Sequence, residues 1–329
     1  MSPEAAVHLA IQIPYDDAHL ELAARLGLRR IQLRVGPGFP IDTGDPQLRE
    51  ARAAAADLAR RGLRVVALGC YRNLLSADAG ERRREIARLR RVMAMAPLFG
   101  TGVVGVFAGR DPDRSLADNL PAFADVWAPL AEEAEAGGLR LAFENCTMLR
   151  GDPPRGINLS FTPWAYERMF ELLPSPALGI ELDPSHLHKQ CLDPVAFVRR
   201  FAPRIVHVHA KDHEHLPEQL ALHGRFSLLT SRDRLPGRGE IDFRAFFAAL
   251  RAAGYDGAVT LEPERDVDAT GARRRLRLLR EAVAHLRRAM AASPPPPPAA
   301  RGRDRGRGCL RRRRGSDPGG RRRDPGRGR

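Results

Sequence analysis

Short apolar runs with strand character alternate with longer amphipathic stretches, and the alternation repeats about eight times along the chain. The predicted strands are Val7–Ile13, Arg29–Arg34, Leu63–Gly69, Gly102–Phe107, Leu139–Glu144, Leu178–Asp183, Arg204–Ala210 and Ala258–Glu262. Between them helical spacing predicts helices, among them Pro46–Arg61, Glu81–Pro97, Ser115–Ala136, Phe161–Leu172, Pro194–Phe201, Phe243–Ala253 and Gly271–Met290. Gly27, Gly62, Gly100, Gly138 and Gly254 stand between helix and strand, where left-handed C-caps belong. Crossovers of this length imply parallel pairing. Eight such units predict an α/β chain whose residues 1–292 form one (β/α)8 TIM barrel. An open doubly wound sheet is the competing architecture. It lacks support, because no Gly-x-Gly-x-x-Gly follows the first strand and no Gly-x-x-x-x-Gly-Lys-Ser/Thr occurs anywhere.

The pattern stops after the last helix. Pro294–Pro298 form a stiff spacer, and Arg-Gly repeats follow, so residues 293–329 are expected to be a disordered basic tail. Of the net charge of +14 in 329 residues, this tail carries +10, from thirteen Arg and three Asp. The barrel is therefore only mildly basic. A nucleic-acid partner is expected, if at all, through counterion release at the tail.

Composition narrows the rest. At 43% hydrophobic residues the chain can build a core. No apolar run approaches the ~18 residues needed to cross a bilayer, and the N-terminus lacks a basic leader pattern. Cys70, Cys146, Cys191 and Cys309 are scattered without a Cys-x-x-Cys pair, which fits a reducing cytoplasm. With 52 Arg against two Lys, individual arginines carry little functional information. Self-association into a homo-oligomer is compatible with this composition.

In a barrel, reactive groups belong at the C-terminal ends of strands. The fifth predicted strand ends in Glu144, the sixth in Asp183, the seventh carries His207 and His209, and the eighth ends in Glu262. Four consecutive strands thus deliver Glu, Asp, His and Glu to one rim. Parity turns Glu144 and Glu262 inward, and Phe143 and Leu261 toward the helices. Three carboxylates and one imidazole suit Mn2+, Mg2+ or Co2+, with Zn2+ less clearly selected. Taken singly, any of these acids reads as a solvated loop residue or a helix cap; the four together read as a divalent metal site.

His207 lies one layer deeper than His209 and is expected to be a hydrogen-bonded core histidine, and Glu181 stands in the same relation to Asp183. Both are candidates to support the ligands. His186, in a turn after Pro184, is a candidate substrate contact or a helix cap. Lys211 is a second substrate candidate, with Asp212 beside it to neutralise it. His213, His215 and His223, in the polar segment after the seventh strand, are expected to be mostly exposed. The segment from His213 to Pro236 is long for such a loop and is expected to shape the pocket.

The stretches Phe143–Met148, Leu182–Leu187, Val206–Asp212, Arg234–Gly239 and Gly254–Gly257, with Leu261-Glu262, resemble the sugar phosphate isomerase/epimerase family, whose fold is the xylose-isomerase-like barrel. The resemblance implies one metal held by Glu144, Asp183, His209 and Glu262. It also implies that the two glutamates act as an acid/base pair and that His186 helps hold the sugar. Such a site suits a small sugar, ketose or keto-sugar. Proton return to the opposite face gives an epimer, and return to the neighbouring carbon an aldose–ketose isomer. A metal-dependent lyase acting on 3-keto sugars or C-glycosides and a non-catalytic sugar-binding barrel are the alternatives. A multi-metal phosphodiesterase of the endonuclease IV type is disfavoured, because the third and fourth strands end at Gly69-Cys70-Tyr71 and Phe107-Ala108-Gly109 without histidine.

Overall fold

A computed structural model describes residues 8–36, 39, 48–150, 155–225, 227–263 and 271–292. The tail expected to be disordered, residues 293–329, lies outside them. Eight parallel strands close into a barrel: β1 (His8–Ile13), β2 (Arg30–Arg34), β3 (Arg64–Cys70), β4 (Val103–Val106), β5 (Arg140–Glu144), β6 (Leu178–Leu182), β7 (Ile205–Ala210) and β8 (Ala258–Leu261), which returns to pair with β1. Each lies within one residue of its expected run at both ends.

Local chemistry punctuates the units as the sequence requires. The five glycines expected as C-caps all have positive φ, between 64° and 76°. The helix Leu116–Ala136 starts at Ser115, whose hydroxyl accepts from Asp118 N at 3.1 Å, and Thr162 caps Pro163–Leu172 in the same way. Caps of this kind contribute about 1 kcal/mol each. The short helices Pro184–His188 and Pro217–His223 have too few turns to show a period. The segment after β7 is built, not merely long: Asp212–His215 pairs antiparallel with Ser231–Arg234, and the second short helix lies between them in the chain.

Strand parity divides the interior in two. Outward-facing Phe143 packs against Phe123 and Trp127 of Leu116–Ala136, with ring centroids 5.7 and 4.7 Å away. Leu261, Ile180 and Val208 lie in the same fully buried apolar layer between strands and helices. Barrels are usually filled with branched aliphatic side chains. Here the inward positions carry Gln12, Gln32, Glu144, Glu181, His207, His209 and Thr260, all nearly or fully buried. Small residues make room for them. At Gly105 a Cβ would stand 2.5 Å from Glu181 Oε2, and at Gly69 it would stand 2.7 Å from the Tyr71 ring.

Two register shifts tune this layer. Ile31 pairs Val65 but Gln32 pairs Ala67, and Ile180 pairs Ile205 but Glu181 pairs His207. Each bulge skips one residue, Val66 or Val206, at the row where the polar interior begins. Without the second, Glu181 would face a valine. Bulges next to sites re-aim side chains in this way.

Replacing Gly105 with Ala should push Glu181 out of its place and destabilise the fold by about 1–3 kcal/mol. A urea melt of the variant beside the wild type measures it, and an unchanged midpoint would refute the tight fit.

Candidate active site

His209 is the hub. Its Nδ1 lies 3.1 Å from Glu144 Oε1 and 3.5 Å from Glu262 Oε2. Its Nε2 lies 2.8 Å from Gln32 Oε1 and 3.1 Å from Glu181 Oε1. The two nitrogens therefore have separate tasks. Nε2–H donates into the barrel interior, which leaves Nδ1 aimed at the rim carboxylates. Burial alone would lower the His209 pKa, but Glu181 and Glu144 overcome it and hold the imidazole well above its usual value.

Glu181 is held on several sides. Gln32 Nε2 donates to its Oε1 at 2.7 Å and the Tyr71 hydroxyl to its Oε2 at 2.8 Å. Gln32 Nε2 also reaches the Tyr71 oxygen at 2.8 Å, and Gln12 Nε2 reaches it at 3.4 Å. Burial works against the Glu181 charge, yet His209 keeps its carboxyl below the usual range. His207 Nε2 bonds Thr260 Oγ1 at 2.9 Å and stands 3.8 Å from Glu181. Burial drives its pKa down to about 4, so it is a neutral, hydrogen-bonded histidine.

Asp183 does two things at once. Its Oδ1 caps Pro184–His188 through Ser185 N at 2.8 Å, and its Oδ2 faces Lys211 Nζ at 2.9 Å. Asn145 clamps its backbone, accepting from Asp183 N at 2.7 Å and donating to Asp183 O at 2.9 Å. Burial opposes the Asp183 charge, but Lys211 and His186 hold the carboxyl well below its usual range.

Lys211 Nζ also donates to Glu262 Oε2 at 2.7 Å and lies 3.2 Å from His186 Nε2. Asp212 does not neutralise it, contrary to that expectation. Adjacent strand residues face opposite ways, and the Asp212 carboxylate instead accepts from the backbone N–H groups of Gly237, Gly239 and Ile241. Burial, and then Lys211, lower the His186 pKa to about 4.

Glu144, Asp183, His209 and Glu262 thus converge, with one ligand atom from each within 4.8 Å of all the others. At metal–oxygen distances of ~2.1 Å, octahedral ligands stand about 3 to 4.2 Å apart, so a small rearrangement would seat an ion. The donor set fits a hard divalent cation, being three carboxylates and one imidazole whose Nδ1 points among them. Burial pushes the Glu144 carboxyl up to about 7, against the hydrogen bond from His209. The Glu262 side chain is 23% exposed and the Glu144 side chain 6%, so Glu262 reaches further into the open cavity. That cavity, of about 880 Å³, is lined by both glutamates, His186, Lys211, Tyr71 and Phe107. Ser231, Arg232 and Asp233 also border it, so the long segment after β7 does shape it.

Gln12, Gln32, Tyr71 and Asn145 were not anticipated. The only trace of the first two in the sequence is a lone amide inside an apolar strand. The expectation that the histidines after β7 are mostly exposed fails at His213, which is fully buried, and His215 is only partly exposed.

A parallel eightfold barrel that gathers carboxylates and an imidazole at the C-terminal ends of β5 to β8 defines the class of fold and candidate site. Within it, the family described as xylose isomerase-like TIM barrel matches residues 20–289, and the chain belongs to that family. The chain is 25% identical over 293 residues to the uncharacterized protein YfiH of Bacillus subtilis, covering 77% of this chain and 89% of that one. It is 29% identical over 159 residues to inosose dehydratase of Lacticaseibacillus casei, covering 47% of this chain and 53% of the relative. A crystal structure of D-psicose 3-epimerase in the presence of D-fructose superposes with a TM-score of 0.66 at 17% identity, covering 86% and 99% of the two chains.

Replacing Gln32 with Ala removes both the acceptor at His209 Nε2 and a donor to Glu181. Divalent metal affinity should fall about 10–100-fold. Chelator competition measures this, and an unchanged affinity would show that the ring needs no such support.

Proposed function

We propose that residues 1–292 form a divalent-metal-dependent isomerase or epimerase. It moves a proton beside the carbonyl of a small sugar, ketose or keto-sugar, with one ion, Mn2+ foremost, held by Glu144, Asp183, His209 and Glu262. The observation that carries this reading is the pair of glutamates. They reach one imidazole nitrogen from β5 and from the end of β8, beside a cavity of about 880 Å³, roomy enough for a small polyol.

The bound cation would supply Lewis acidity beside the carbonyl, which acidifies the neighbouring C–H. Glu262, the more accessible carboxylate, takes the proton from that carbon. Glu144, the more deeply buried of the two, gives a proton back. Lys211 and His186 orient the hydroxyls of the substrate through their N–H groups, and Gln32 and Glu181 keep the His209 ring from turning. Return to the opposite face of the same carbon gives the epimer, and return to the adjacent carbon gives the isomer.

The similarity to inosose dehydratase favours a second reading of the same first step. After deprotonation a hydroxyl on the next carbon leaves as water, aided by a proton from an acid of the site.

Wild-type chain loaded with Mn2+ should place solvent deuterium at one carbon of an accepted ketose or keto-sugar, followed by NMR in D2O. Glu262→Gln should slow that exchange about 10²–10⁴-fold, and undiminished exchange would remove Glu262 from its assigned role. An unsaturated or deoxygenated product selects the dehydratase reading.

A further inference from the structure

Outside the barrel-mouth set, the described residues gather three imidazoles that the proposed chemistry does not use. His213 and His215 stand two apart on the short strand Asp212–His215, so they share a face. His188 closes Pro184–His188 and meets both, with ring centroids 5.2 Å from His213 and 4.8 Å from His215. One ring nitrogen from each lies within 4.8 Å of the other two. His188 Nδ1 and His213 Nδ1 approach to 3.0 Å, close to the about 3.4 Å that separates ligands around tetrahedral zinc. His213 is fully buried, yet its Nε2 has no hydrogen-bond partner. Its Nδ1 is the nitrogen turned to His188, so an ion seated between the two rings would be held there and leave the ring's proton on Nε2.

A carboxylate stands beside two of the three rings. Glu240 Oε2 lies 3.1 Å from His215 Nδ1 and 3.6 Å from His188 Nε2. Its own N–H donates to His213 O at 2.9 Å, which anchors the loop to the hairpin. Cys191 brings its thiol to 3.9 Å from His215 Nε2, from a residue with φ of 59°. Nitrogen-rich sets of this kind select a borderline ion, whereas the carboxylate-rich barrel mouth selects a hard one.

We propose that His188, His213 and His215 form a second metal site that takes Zn2+, with the Glu240 carboxylate beside it as the nearest further oxygen donor. The ion would tie the helix that carries His186 to the hairpin that follows Lys211. It would therefore brace segments that border the cavity without touching substrate. The proposal rests on these residues alone and is independent of the barrel-mouth site.

The test strips full-length protein with chelator, reloads it with Zn2+, desalts it and counts zinc per chain by mass spectrometry, beside His215→Gln and His209→Asn. His215→Gln should lose one zinc per chain relative to wild type, while His209→Asn keeps that zinc. With Co2+ in place of zinc, the visible bands of a tetrahedral site should persist in His209→Asn and vanish in His215→Gln. His215 is partly exposed, so the change is expected to fold, and circular dichroism checks it. Glu240→Gln is the second variant, at an exposed side chain, and should loosen zinc by about tenfold or more. A His215→Gln chain that holds as much zinc as wild type overturns the proposal. If only His209→Asn loses zinc, the barrel-mouth reading stands and this one falls.

Discussion

Four carboxylates, those of Glu144, Glu181, Asp183 and Glu262, crowd around one imidazole and one ammonium in the mouth of a barrel. Uncompensated charge of that density is costly in a protein interior, by several kcal/mol for each ion after relaxation. Much of the surrounding structure is arranged to meet this constraint. Gly105 leaves space for the Glu181 carboxylate, and Gln32 and Tyr71 donate to it. The bulge at Val206 brings His207 and His209 to the level of the acids. Lys211 spans Asp183 and Glu262 with a single positive charge. His209 and Lys211 supply at most two positive charges against four acids, and a divalent ion that takes the place of the proton on His209 Nδ1 would add one more.

The same arrangement separates two functions that one residue type could otherwise confuse. Glu181 and His207 look inward, are fully buried and bond to Gln32, Tyr71 and Thr260. Glu144, Asp183 and Glu262 lie at or beyond the strand ends, where the cavity begins. Depth along the strand, in steps of two residues, therefore sorts supporting groups from those that can meet a ligand. The outward positions pack on helices and hold the strands to that register, as Phe143 does against Trp127.

Most of this was legible in the sequence because a parallel barrel couples period to position. Apolar runs set the strands, Gly27, Gly62, Gly100, Gly138 and Gly254 set the helix ends, and the rim residues followed from reading strand ends. What escaped has physical reasons. Gln12 and Gln32 each interrupt an apolar strand by one amide, which has no charge or spacing to mark it. Lys211 beside Asp212 suggests a local pair, but strand geometry sends the two apart, and Asp212 gathers loop N–H groups instead. The grouping of His188 with His213 and His215 joins segments 25 residues apart, which no local pattern records.

On this reading the rim carboxylates and His209 Nδ1 are gathered to hold a divalent ion. A crystal structure of the full chain soaked in Mn2+, with anomalous scattering collected at the manganese edge, tests it most directly. One strong peak is expected, bounded by Glu144, Asp183, Glu262 and the Nδ1 atom of His209, with the Lys211 ammonium displaced from Asp183 and Glu262. A fully loaded crystal with the peak elsewhere, or with Lys211 still bridging the two carboxylates and no ion between the four residues, would contradict it.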